Sequence, residues 1–190
     1  MVLADSIRRR LVAPFLLVLA GLFAHNAFAQ VGTPTEDVVK AAYLSKLGHY
    51  VHWPAHAAPP ANGRTVIGIV GAEDVANSLA QMAAVRDPVK GTLAVRRLRN
   101  GDSLEHIHIL YLGKGYVARA GAMIDAAAAR SILIVSESED ALARGSIINF
   151  RLVDERMRFD ISLESAEKAG LRLSSQLLML AATVIREKRQ

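Results

Sequence analysis

The sequence predicts one α/β domain: a mixed, largely parallel sheet flanked by helices, with a late antiparallel hairpin and a C-terminal helix. Two observations predict it. Apolar runs of strand length at residues 65–70 (TVIGIV), 107–112 (IHILYL) and 131–136 (SILIVS) alternate with stretches of helical periodicity. That order is expected of a parallel sheet covered on both faces. Later, Met157, Phe159, Ile161 and Leu163 alternate with Arg158, Asp160 and Ser162, while Ile148, Phe150 and Leu152 form a matching face just before. A period of two on both runs reads as a hairpin with one face in a core.

The elements follow in order. Residues 1–29 carry Arg8, Arg9 and Arg10, an apolar run, and the small-x-small site Ala27-Phe28-Ala29. Basic, apolar, small is the order of a secretory signal, and the apolar run is short for a membrane span. Cleavage is expected after Ala29, leaving a domain over 30–190. Thr35 is placed to cap a helix with Glu36 and Asp37 in its first turn, and Val39, Tyr43, Leu47, Tyr50 and Val51 recur at helical spacing. Trp53-Pro54 ends that helix, because a residue preceding proline is pushed out of the helical region. A Pro/Ala/Gly linker leads to the first buried strand. Gly71 turns the chain into a helix over 73–84, with Val75, Leu79 and Met82 inward.

Residues 92–98 and 107–112 read as strands, 116–129 as an Ala-rich helix, and 131–136 as another buried strand. The acidic run Glu137–Asp140 reads as a solvated loop. The hairpin is followed by a short helix from Leu163 to Ala169, and a final helix runs from Ser175 to about Glu187. For the hairpin turn, two residues at Asp154-Glu155 would set Arg151 opposite Arg158 and hold Glu155 at a positive φ. A four-residue turn from Asp154 to Met157 sets Arg151 opposite Asp160 and Phe150 beside Ile161, and is the register expected.

Composition excludes several functions. Removing the leader takes away Arg8, Arg9, Arg10 and Asp5, so basic against acidic residues fall from 23 against 18 to 20 against 17. The balance of +3 gives little support to nucleic-acid binding. The chain has no Cys, which excludes disulfides, thiol catalysis and Cys-ligated metals.

The residues that could carry chemistry are few. Gly71-Ala72-Glu73-Asp74 sits where phosphate loops sit, but it lacks further glycines and places two carboxylates at the helix start. His52 and His56 are separated by the helix-breaking Trp53-Pro54, and His106 and His108, two apart on a strand, share a face without a third ligand. These histidines read as satisfied or solvated rather than as a metal site. No G-x-S-x-G elbow and no acid pair stands out, so no catalytic residue is assigned. Ser174, ahead of an apolar helical run, reads as a helix cap.

Two surfaces remain. Tyr50-Val51-His52-Trp53-Pro54 holds the only Trp, which either binds or staples the first helix to the sheet. In Gly170-Leu171-Arg172-Leu173-Ser174, Arg172 stands just before a helix start, as an anion site or as an ordinary exposed arginine.

In order along the chain stand Lys40-Ala41-Ala42-Tyr43-Leu44 with Trp53-Pro54, Val70-Gly71, Val95-Arg96-Arg97-Leu98 and Ile109-Leu110-Tyr111-Leu112. They are followed by Ile132-Leu133-Ile134-Val135-Ser136, Gly145-Ser146-Ile147-Ile148-Asn149-Phe150, Arg158-Phe159-Asp160-Ile161-Ser162-Leu163 and Ala169-Gly170-Leu171-Arg172-Leu173-Ser174-Ser175-Gln176-Leu177-Leu178. This ordered set resembles the YfiR-like family of exported bacterial proteins. Gly145-Ser146 departs from the family's frequent Gly-Gly, and Ser162 from its usual Asn, though Ser can cap the following helix as Asn does. Disulfides found in some members are impossible here.

The resemblance implies a non-enzymatic periplasmic regulator that binds the sensor domain of an inner-membrane diguanylate cyclase and lowers cyclic-di-GMP and biofilm formation. It also implies a homodimer, a possible small ligand, no cofactor and no nucleic acid. The ligand positions it suggests are His52 and Arg172, and the two surfaces above add Trp53 and Ser174 as candidate ligand-binding residues. A small-ligand-binding accessory of a sensor kinase or transport system is the alternative.

Overall fold

Strand-length apolar runs end at turns that only certain residues can make, and this spacing sets the architecture. The structure, a computed structural model, describes residues 34–60, 63–86 and 93–186. The expected leader over 1–29 and the expected strand start at Thr92 lie outside the described residues. The helices are α1 (Glu36–Leu47), α2 (Glu73–Arg86), α3 (Gly121–Ala128), α4 (Leu163–Lys168) and α5 (Ser175–Leu180). The strands are β1 (Val51–His52), β2 (Thr65–Val70), β3 (Leu93–Leu98), β4 (Ile109–Leu112), β5 (Leu133–Ser136), β6 (Ile148–Val153), β7 (Arg156–Ser162), β8 (Arg172–Leu173) and β9 (Thr183–Ile185).

A sheet in the order β3-β2-β4-β5-β6-β7-β9 is parallel throughout except at the β6–β7 hairpin, and β1 and β8 form a separate antiparallel pair. The predicted fold class holds. Alternation within the strands divides the core into two layers. Ile67, Ile69, Ile109, Tyr111, Leu133, Val135, Phe150, Phe159 and Ile161 face α1 and α2, whose Ala41, Leu44, Leu47, Val75 and Leu79 cover them. Val70, Leu110, Leu112, Ile132 and Ile134 face the opposite way, against Met123, Ile124 and Ala127 of α3. Strand β4 is buried on both faces, as its unbroken apolar sequence requires.

Between β2 and β4 the chain order reverses, the place where open α/β sheets usually bind ligands. Here it is filled. Gly71 stands at φ 68° with Tyr116 against it, so a Cβ there would lie 2.0 Å from the ring, and a Cβ at Gly113 would lie 2.3 Å from the Gly71 carbonyl.

Five expectations are corrected. The hairpin turn is the two-residue one: Arg151 pairs with Arg158 and Phe150 with Phe159, and Asp154 and Glu155 lie at φ 48° and 57°. Both φ values are positive, as a type I′ turn requires, and its twist matches that of the strands. Second, the terminal helix stops at Leu180. Ala181 is extended and the β-branched run Thr183-Val184-Ile185 pairs with β7 as an added edge strand. Third, α1 ends at Leu47, and Tyr50 and Val51 leave it through a 3₁₀ turn and β1. Thr35 holds the cap position without donating or accepting through its hydroxyl. Fourth, His106 and His108 precede β4 rather than sharing a strand face, and His106 adopts φ 61°. Fifth, the loop after β5 is not simply solvated, because Glu137 is drawn into an ion pair described below.

Candidate functional site

The β1–β8 pair brings together two segments more than a hundred residues apart. Helix α4 is closed by Gly170 at φ 69°, with Gly170 N–H donating to Glu167 and Leu171 N–H to Ala166. This is the Schellman arrangement, which buries Leu171 and turns the chain outward. Arg172 then pairs with His52 and Leu173 with Val51, and Ser174 N–H donates to the Tyr50 carbonyl at 2.9 Å. Opposite positions on an antiparallel pair place side chains on one side, so His52 and Arg172 stand next to each other, both exposed. A guanidinium beside an imidazole offers several donors to one anion.

The other two expected residues are used differently. Ser174 Oγ accepts from Leu177 N–H at 3.3 Å, the helix-cap role read from its position. Trp53, on the opposite side of β1 from His52, lines a cavity of about 390 Å³ with Gly48, His49, Val51, Thr65 and Met82. Its indole N–H is buried without an acceptor among the described residues. The β1–β8 pair thus brings His52 and Arg172 together, while the cavity at Trp53 is lined by neither of them.

A second cluster escaped the sequence reading. It lies beyond the carboxyl ends of β4 and β5, where a cleft of about 550 Å³ is lined by Glu36, Lys40, Lys114, Glu137, Ser138 and Asn149, with Phe150, Leu152 and Met157 on its apolar side. Lys40 points inward from α1 and its side chain is 7% exposed. It donates to Glu137, lies 2.7 Å from Glu36 one turn earlier, and has Asp37 at 4.0 Å. Burial opposes the charged ammonium, but the Glu137 and Glu36 carboxylates outweigh it and hold its pKa above the usual lysine value.

Glu137 also accepts from Lys114 N–H at 3.1 Å. Asn149 Oδ1 receives Ser136 Oγ–H at 3.1 Å and Ser138 N–H at 3.0 Å, which fixes the loop after β5 to β6. Tyr111, wholly buried beneath these carboxylates, has its phenol pKa driven far up by burial and by Glu137. Its hydroxyl makes no hydrogen bond of ordinary geometry, and neither does Ser138 Oγ. The pairing of Lys40 with Glu137 spans 97 residues, so no local pattern announced it.

The other described histidines are structural or exposed. His108 is buried, and its Nδ1 accepts the Val66 N–H at 3.0 Å, tying the start of β4 to β2. Among the described residues, no three of the His, Cys, Asp and Glu side chains cluster as metal ligands, and no helix is long and apolar enough to cross a membrane.

Comparison with known proteins places this geometry in a family. No curated protein matches the chain in sequence. Among solved structures, a conserved domain protein from Vibrio cholerae aligns at TM-score 0.53 and 16% identity, covering 78% of this chain and 60% of the other. That likeness concerns the fold, and this chain spans about 60% of the Vibrio protein's length. A second, the ABC domain in complex with L-Trp from Streptococcus pneumonia, aligns at TM-score 0.45 and 11% identity over 64% of this chain and 55% of that one. The profile of the YfiR/HmsC-like family matches residues 37–182, from the first turn of α1 through α5. This chain belongs to the YfiR/HmsC-like family.

Proposed function

We propose that this protein binds the periplasmic sensor domain of an inner-membrane diguanylate cyclase and inhibits it, lowering cyclic-di-GMP and with it biofilm formation. The observation that carries the reading is the family match over residues 37–182, which takes in every described element except β9. Regulation by binding asks for surfaces rather than a nucleophile and base. Exposed His52 and Arg172, held side by side by the β1–β8 pair, are such a surface. A small anionic ligand there, with the neighbouring cavity at Trp53 taking an apolar part, would provide the input that adjusts inhibition. Ser174 contributes by capping α5 and so fixing the position of Arg172.

In this reading residues 1–29 are the export signal, cleaved after Ala29, and the mature chain works as a homodimer without a cofactor. The direct experiment deletes the gene and measures cellular cyclic-di-GMP, with the gene restored in trans as control. A rise reversed by complementation is expected. An unchanged level overturns the reading. N-terminal sequencing of the exported protein and light scattering of the purified chain check the cleavage site and the dimer.

A further inference from the structure

We infer that the free end of the β6–β7 hairpin is an arginine-bearing arm that docks onto an acidic surface of a partner protein. The inference rests on the regulatory reading above and names the contact through which it would act. Strand β5 pairs with β6 only at Ile148 and Asn149, and β9 pairs with β7 only from Asp160 onward. Residues 151–158 therefore extend beyond these pairings as a two-stranded ribbon, with the Phe159 carbonyl at its base still held by Ala182 N–H at 2.8 Å. Such a ribbon is marginal alone and its free edges invite pairing.

Its two faces differ. One carries Phe150 and Phe159 into the core, with Leu152 beyond them 55% exposed. The other carries Arg151, Arg156 and Arg158, and among the described residues no helix lies over it: α3 packs on β2, β4 and β5 instead. Arg151 and Arg158 stand directly opposite each other, a like-charge arrangement that costs stability. Arg151 is steadied by Asp160, at 2.5 Å and 3.0 Å through two guanidinium nitrogens. Arg156 and Arg158 are exposed, and among the described residues neither reaches a carboxylate or any other hydrogen-bond partner. The turn that presents them holds two non-glycine residues at positive φ, strain of the kind kept where a binding surface needs it.

Charge selects the occupant. A second copy can pair its Asp154 and Glu155 tip with these arginines across a two-fold axis, and loss of the dimer in the variant below is the outcome that would identify it. A flat anionic membrane would meet the Asp154 and Glu155 carboxylates at the tip together with the arginines. A folded partner with a local acidic patch can meet the guanidinium forks and leave the tip in solvent.

The test is binding of the mature protein to the purified periplasmic sensor domain of the cyclase whose output rises on deletion, measured by titration calorimetry. Arg156→Glu with Arg158→Glu is the working variant, because neither side chain holds anything in the fold. Its melting temperature should equal or exceed that of the parent. The reversal is expected to weaken binding by at least about tenfold at low salt, and to remove the salt dependence that the parent shows. A sensor domain bound equally well by parent and variant overturns the arm and leaves the regulatory reading standing. Absence of binding by the parent removes both. A variant that binds the sensor domain normally but loses its dimer, or its affinity for phosphatidylglycerol vesicles, likewise overturns it.

Discussion

Removing the charge from Lys40 should destabilise the whole domain. Lys40→Met keeps most of the side-chain volume but leaves Glu137, 13% exposed, without its cation. Glu36 and Asp37 lose the same partner but stand near solvent and lose little. Orphaning one member of a buried pair costs about 3–5 kcal/mol, and the residual Lys114 N–H bond to Glu137 argues for the lower end, about 3 kcal/mol. A domain of this size shifts by about 2–4 °C for each kcal/mol, so the midpoint should fall by about 6–12 °C.

Urea denaturation at neutral pH measures it, together with Glu137→Gln and the double variant. Each single change should be costly and the pair together much less than additive, with a coupling of at least about 1.5 kcal/mol. Glu164→Gln serves as reference, because its i,i+4 pair with exposed Lys168 should be worth no more than about 0.5 kcal/mol. A Lys40→Met cost under about 1 kcal/mol, or strictly additive costs, would refute the claim that this pair fastens α1 to the end of β5.

Other consequences can be measured on the same material. Burial, with His106 adding to it, lowers the pKa of His108 below 6.5, so the unfolded chain takes up the proton first. Stability should therefore fall as pH drops through 6.5 toward the folded value and then level off, and His108→Gln should flatten that part of the curve. Glu155→Gly should stabilise by about 0.5–1 kcal/mol, because glycine accepts the positive φ that glutamate resists; a loss of stability in thermal unfolding would count against the two-residue turn. Gly113→Ala should cost several kcal/mol or abolish folding, since its Cβ would fall 2.3 Å from a backbone oxygen; near-native expression and melting would contradict the close approach.

The legible parts of this fold are those whose determinants are local. Runs such as Thr65–Val70 declare a strand covered on both faces, and Ser162 and Ser174 declare helix starts that the structure confirms with bonds to Ser165 and Leu177 N–H. Pairing between distant segments is not local. Lys40 reads as one more polar position on a helix, and Glu137 as one more acid in a loop, until β5 brings them together. The terminal helix, Ser175–Leu180, is shorter than its sequence suggests for a related reason. Thr183, Val184 and Ile185 are β-branched and favour a strand, and the open edge of β7 supplies the partner that the apolar spacing after Ser175 does not show. For the candidate site, His52 and Arg172 stand 120 residues apart in sequence, and only the pairing of β1 with β8 sets them side by side while Trp53 lines a separate cavity.

The hairpin register shows how the terms compete. Weighing charges alone favours setting Arg151 opposite Asp160, since the observed register costs about 0.2–1 kcal/mol for facing arginines and about 1–2 kcal/mol for Glu155 in the left-handed region. The core face offsets both. With Phe150 opposite Phe159, Tyr43 of α1 meets both rings edge-on, at 5.9 Å and 6.1 Å between centroids. Two such contacts contribute about 1–3 kcal/mol beyond the area they bury, and a register shifted by two residues breaks the trio. Arg151 still reaches Asp160 diagonally, so that attraction is retained rather than exchanged. What the core's choice leaves unresolved lies on the outer face, where Arg156 and Arg158 gain nothing from folding. Side chains left so are free to be selected by a partner, which is why charge reversal there should change recognition while leaving the fold intact.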